Sequence, residues 1–350
     1  MKYLKEVSGQ IGQGPLVPWV SYIGPSDDMC SACQNRTGNR VLHIPGDPAV
    51  TSDRDYFGYV ECGDCGTLDI AVVPPDLAQY YADAYYSFHA TLPQGLRGLA
   101  RRMRNTAEVF GTGFIGRVLA NWSPMIRMSL LHPLVRGEIG GGLSQASAIL
   151  DVGCGNGAWL RSLQEIGFAN LTGIDPFLQR PVDETGLHLK RAGIYELQGA
   201  FDLISCSHVL EHTEDPERAL RQMMARLRPG GCILLRIPLA QSYAWRIYGG
   251  EWVQLDAPRH LHLYSLEGVR ILTSRVGLDI RRTVFDSSAF SLLGSEARLA
   301  GCGPHQANND HLRPAEVMAA FDGVGATRIA RMINCLGTAD QASFFLQVQG

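Results

Sequence analysis

Residues 149 to 157 read ILDVGCGNG, an apolar strand end that meets an acid and then three glycines on alternate positions, Gly153, Gly155 and Gly157. Residues without a Cβ let a ligand lie against the backbone, and a helix predicted from about Ala158 turns its first amides toward the same space. Such a turn belongs to an α/β fold that takes a nucleotide cofactor. The spacing also fits the dinucleotide pattern G-x-G-x-x-A, because position 158 is Ala and Asp175 ends the next apolar run, LTGID. Spacing by itself leaves the cofactor open.

Dinucleotide turns usually carry an apolar residue two positions before the first glycine. This chain has Asp151 there, a charge that suits a zwitterionic, cationic ligand better than a pyrophosphate. S-adenosylmethionine (SAM) is such a ligand. ILDVGCGNG, GIDP at 173 to 176, FDLISCSHVLEHTEDP at 201 to 216 and LRPGGCILLRIP at 227 to 238 follow one another, and in that order they resemble the motifs of class I SAM-dependent methyltransferases. The resemblance covers roughly residues 146 to 286. It implies that Gly153, Gly155, Asn156 and Gly157 pass under the methionine part of SAM, that Asp151 orients its amino group, and that Asp175 accepts the two ribose hydroxyls. Ser207 and His208 would stand beside the sulfonium. The segment GLHLKRAGIYEL lacks an acid often found near the adenine.

Strands are expected near 147–152, 171–175, 187–190, 202–206, 231–237, 279–286 and 342–349, with helices at 157–166, 215–228 and 266–277 between them. This is a Rossmann-like, doubly wound, seven-stranded sheet occupying 146–350, with an insertion at about 287–340. The insertion holds a polar segment, GCGPHQANNDHLRP, and a helix near 314–333.

Four of the nine cysteines form two pairs, Cys30-x-x-Cys33 and Cys62-x-x-Cys65. In a chain expected to be cytoplasmic, two such knuckles suit tetrahedral zinc rather than disulfides. RVLHIPG and YFGYVECGDCG around them read as short strands, giving a zinc ribbon at about 25–72 within a domain of residues 1–75. A helical connector follows at 76–145. Between Arg97 and Arg136 it has seven arginines and one acid, Glu108. The expectation is a solvated helical face, with a diphosphate-linked substrate, an anionic membrane surface or RNA as the sharper reading. Trp122, Met125 and Met128 around Pro124 read as core packing.

A net charge of -3 argues against a bulk polyanion partner, and 45% hydrophobic residues are ample for a large core. The apolar runs are too short to cross a membrane, and the start lacks a signal-peptide core.

The acceptor should bind beyond the carboxyl ends of strands four and five. After strand four comes His208-Val-Leu-Glu211-His212. After strand five comes a run W-x-x-x-D-x-P-R-H-L-H-L-Y-S from Trp252 to Ser265, which resembles the acceptor-side segment of type-11 and type-23 small-molecule methyltransferases. His260 is the first candidate for a base toward a hydroxyl acceptor, His208 the second, and Arg259 would bring a cation to the pocket. The opposing reading has His260 and His262 alternating on a short strand. The function expected is O-methylation of a small molecule such as a sugar or polysaccharide precursor or a secondary metabolite. A zinc-ribbon RNA methyltransferase, a SAM-binding scaffold and, remotely, a dehydrogenase are the alternatives.

Overall fold

A computed structural model describes residues 20–47, 55–81, 92–122, 125–299 and 323–350 of the chain. The polar segment at 301–314 and the first part of the helix expected at 314–333 lie outside the described residues. Among those described, the elements run β1 (Ser21–Ser26), β2 (Asn39–Pro45), β3 (Tyr56–Glu61), β4 (Leu68–Ile70), α1 (Gly95–Phe110), α2 (Phe114–Trp122), α3 (Ile126–Ser129), α4 (His132–Val135), β5 (Ile149–Val152) and α5 (Ala158–Glu165). Then come β6 (Leu171–Ile174), β7 (Val182–Glu184), β8 (Leu187–Lys190), β9 (Phe201–Ser207), α6 (Pro216–Met224), β10 (Leu227–Pro238), α7 (Tyr243–Tyr248), β11 (His262–Leu263), α8 (Leu266–Arg275), β12 (Leu278–Phe285), α9 (Ala289–Leu299), α10 (Gly323–Cys335) and β13 (Gln341–Val348).

Two compact units divide the chain. One comprises 82–237, 270–286 and 342–350, and the other 1–81, 238–269 and 287–341. In the first, β5 is wholly buried and, apart from Asp151, apolar, as a central parallel strand covered on both faces must be. The sheet order is β12-β13-β10-β9-β5-β6-β8-β7, with β10, β9, β5, β6 and β8 parallel. It has eight strands rather than the expected seven. The extra one, β7, pairs antiparallel with β8 through a turn at Gly186, a hairpin signal present in DETG. The core beneath the sheet includes Leu160, Leu163, Leu171, Leu189 and Leu203, together with Val109, Met128, Leu131 and Leu134 from the helices expected to form a connector. Trp122 and Met125 depart from the core reading: they are 88% and 43% exposed, while Met128 is buried. No helix among the described residues is long and apolar enough to cross a membrane.

The other unit is built on a five-stranded sheet, β1-β2-β3-β4-β11. The strands flanking the two cysteine turns supply four of these. The fifth arrives from the acceptor-side segment, where His262 and Leu263 pair with Asp69 and Leu68. Ile44, Tyr59 and Leu68 share a core with Trp245, Trp252, Leu255, Leu263 and Leu292. That burial holds the two stretches in one unit.

Candidate active site

Within the first unit the glycine turn is pinned by its neighbours. Gly153 and Gly157 have φ of 70° and 79°, left-handed values that disfavour any side chain. Space is a second constraint: a Cβ at Gly153 would lie 2.3 Å from Val209 Cγ2, and one at Gly157 2.5 Å from Leu189 Cδ1. The amides of Gly153 and Cys154 both donate to the Ile174 carbonyl at 2.8 and 3.0 Å. Asp175, at the end of β6, accepts the Gly155 amide at 3.0 Å and the Phe177 amide at 2.8 Å. Its carboxylate therefore shapes the turn. Burial raises its pKa, and these two amides work against that rise. Asn156 accepts the Ala158 amide at 3.1 Å with its side chain, at the start of α5.

Asp151 is buried, and burial raises its pKa against the pull of Arg127. Its Oδ1 accepts from Arg127 at 2.8 Å, whereas Oδ2 is buried and has no hydrogen-bond partner. An orphaned carboxylate oxygen in a dry site is costly unless something else donates to it. Arg127 also donates to Ser205 Oγ at 3.1 Å and lies 4.3 Å over the Trp159 ring. Sequence reasoning placed Arg127 only among the connector arginines. Its link to Asp151 depends on an α3 side chain reaching the end of β5, for which the sequence has no local signal.

Ser207 ends β9, and His208 follows with φ of 55°. The His208 ring is held on both sides, with Nδ1 3.1 Å from Glu211 Oε1 and Nε2 3.0 Å from Arg236 Nη1. A guanidinium can only donate, so Nε2 accepts and the proton sits on Nδ1, toward Glu211. Arg236 is in turn held by Asp286 at 2.8 Å, and Asp286 by Ser343 at 2.7 Å. This places Asp151, the three glycines, Asp175, Ser207 and His208 at the carboxyl ends of β5, β6 and β9, where α/β sheets bind ligands.

The other unit brings the four cysteines together. Their sulfurs all lie within 4.8 Å of one another, with Cys30 Sγ 3.6 Å from Cys65 and Cys33 Sγ 3.5 Å from Cys62. A zinc tetrathiolate with bonds of about 2.3 Å has sulfur–sulfur edges of about 3.8 Å, so the four donors fit that ion. Hydrogen bonding, first from Cys30 and then from Thr67, lowers the Cys65 thiol to about 5, and burial pushes the Cys33 thiol up to about 11.

The remaining candidates also lie in this unit. Arg259 is buried, donating from Nη2 to Asp47 at 2.7 Å and from Nε to Asp256 at 3.0 Å. His260 is buried as well. Its Nδ1 donates to the Gln254 carbonyl at 2.8 Å, and its Nε2 stands 3.6 Å from the Asp256 carboxylate. The neighbouring His262 gives Nδ1 to Asp69 at 2.6 Å, and the same carboxylate accepts the Ser31 amide and hydroxyl at 2.9 and 2.6 Å.

A family described as a methyltransferase domain matches residues 131–283. The ubiquinone biosynthesis O-methyltransferase of Chromobacterium violaceum is 32% identical over 132 residues, 33% of this chain and 56% of that protein. Its namesake in Dechloromonas aromatica is 30% identical over 165 residues, 41% of this chain and 69% of that protein. The chain thus spans a little over half the length of the first of these relatives, and 58% of the Bordetella avium protein of the same name. Among solved structures, a mycolic acid cyclopropane synthase complexed with SAH superposes with a TM-score of 0.43 at 18% identity, covering 63% of this chain and 85% of that one.

Proposed function

The chain belongs to the class I SAM-dependent methyltransferases, and from that membership we propose that it transfers the methyl group of SAM to an oxygen of a small molecule. The observation that carries the reading is the buried, unpartnered Oδ2 of Asp151 beside Arg127. Asp151 and Arg127 face each other as a carboxylate and a guanidinium, and the amino-acid end of SAM carries the two complementary charges. Its ammonium suits Asp151, and its carboxylate suits Arg127. A pyrophosphate does not suit Asp151, whereas an acid at the end of β6 serves the ribose of either cofactor. Asp175 has acceptor capacity beyond its two amide bonds, which the ribose hydroxyls would use.

SAM supplies a methyl group on a sulfonium, and displacement from sulfur needs mainly proximity and, for a hydroxyl acceptor, a base. His208 is a poor base as placed, because its unprotonated nitrogen is taken up by Arg236. It fits better as a rigid polar wall at the end of β9. His260 keeps the base assignment on its sequence position. Arg259 has two carboxylates at its guanidinium, so its part is to hold Asp256 and the loop that carries His260. The names of the O-methyltransferase relatives support O-methylation. A sugar or polysaccharide precursor, or a secondary metabolite, is the acceptor class we favour, and the cytoplasm the location. Cys30, Cys33, Cys62 and Cys65 would hold one structural zinc.

Calorimetry with SAM and with NAD tests the cofactor directly. Micromolar-range SAM binding with no comparable NAD binding is the expected result, and tighter NAD binding overturns it. Metal analysis of reduced protein should return one zinc per chain, and none would refute the zinc reading.

A further inference from the structure

Helix α2 carries its large apolar side chains on the face opposite its packing contact. The contact with α1 is made at Gly116, which is buried. A Cβ there would lie 2.3 Å from the Met103 carbonyl oxygen and 2.9 Å from the Ala107 side chain. With the small residue inward, the helical period turns Phe114, Ile115, Val118 and Trp122 outward along one stripe. Phe114 is 74% and Trp122 88% exposed, and Leu96 and Leu99 on α1 are exposed too. Scattered single apolar residues on a surface need no explanation, but six within two adjacent helices do.

The charges beside them have one sign. Arg97, Arg102 and Arg117 are exposed, whereas Arg101 is engaged by Glu165 at 2.6 Å. The single acid between Leu92 and Trp122, Glu108, is buried, accepts the Met125 amide at 2.6 Å, and is pushed toward its neutral form by burial. The exposed part of this hairpin is therefore apolar and cationic. A second copy of the chain fits it badly, because a two-fold interface sets the patch against itself and brings the arginines of both copies together without a carboxylate. RNA would satisfy the charges but leave Leu96, Leu99, Ile115 and Val118 without a role, since bases stack on aromatic and guanidinium faces. An anionic lipid surface uses all of them, taking apolar side chains into the boundary of headgroups and acyl chains, tryptophan at that boundary and arginine at the phosphates.

We propose that the α1–α2 hairpin docks the protein on an anionic membrane surface, inserting Phe114, Ile115, Val118 and Trp122 and setting Arg97, Arg102 and Arg117 on lipid phosphates. None of these residues belongs to the glycine turn, and the proposal holds whatever the methyl acceptor is.

Co-sedimentation of the full chain with vesicles of phosphatidylcholine, alone or mixed with phosphatidylglycerol, is the test. Binding is expected to the mixed vesicles, to weaken with salt, and to be small on phosphatidylcholine alone. The double variant Phe114→Ser/Trp122→Ser should reduce partitioning at least about tenfold, and Arg117→Gln about fivefold. Val72→Ser removes an exposed apolar residue of the other unit and should change nothing. Thermal unfolding of each variant verifies that it folds. The proposal fails if mixed vesicles do not retain the parent chain, or if the folded double variant binds as well as the parent. It also fails if light scattering shows a parent dimer that the double variant dissolves, or if single-stranded RNA binds and vesicles do not.

Discussion

The two units reach order in different ways. In the cofactor unit the contacts that shape the glycine turn join the ends of adjacent strands, as when the Gly153 amide meets the Ile174 carbonyl and the Gly155 amide meets Asp175. In the cysteine unit the decisive contacts join stretches far apart in the chain. The Tyr59 hydroxyl donates to the His260 carbonyl at 2.6 Å, Ser265 Oγ donates to the Cys65 carbonyl, and Leu68 pairs with Leu263. Closing such long loops adds little entropy penalty beyond that of shorter ones. Buried side chains such as Trp245 and Trp252 can offset it. A pair of knuckle motifs thus accounts for the gathering of four cysteines without identifying what completes the sheet around them.

Metal removal should break that contrast most strongly. Structural zinc contributes on the order of 10 kcal/mol in small domains, so Cys33→Ser or chelation should loosen the whole cysteine unit. Hydrogen exchange should quicken at Ile70 and Ala240, whose amides donate to the Leu261 and Tyr264 carbonyls, while β5 stays protected and SAM still binds. Changes confined to the residues before 75 would show that the acceptor-side segment holds itself in place.

His260→Ala comes next, with an expected fall in turnover of about 10² to 10⁴ for a hydroxyl acceptor, SAM affinity being unchanged. Full turnover at saturating acceptor would remove His260 as the base. Asp175→Ala is the converse, weakening SAM binding by about 1.5 to 3 kcal/mol in calorimetry through loss of a charged acceptor. Unchanged affinity would confine Asp175 to the turn. Gly153→Ala should lower stability by about 1 to 2 kcal/mol from its left-handed backbone alone, before the encounter with Val209. Thermal unfolding with no loss would mean that the turn relaxes.

Legibility followed the range of the interaction. The order of strands, the glycine turn, Asp175 and the cysteine knuckles could be read because turn chemistry and ligand spacing are local. The pairing of Arg127 with Asp151 could not, nor the bond from Arg236 to His208, because each needs a side chain from another element at a particular height. Trp122 was misread for the same reason. Its composition and neighbours suit a core, and only the close approach at Gly116 turns it outward.

A parallel sheet with a glycine turn for a nucleotide cofactor and a gathering of four cysteines were legible in the chain, since strand pattern, glycine placement and Cys-x-x-Cys spacing act over a few residues. That His262 and Leu263 of the Trp252–Ser265 segment complete the cysteine sheet, and that Arg259 donates to Asp47 and Asp256, emerges only in the folded molecule. Register across a long loop is set by burial and by buried polar partners, and neither has a local signature in the chain.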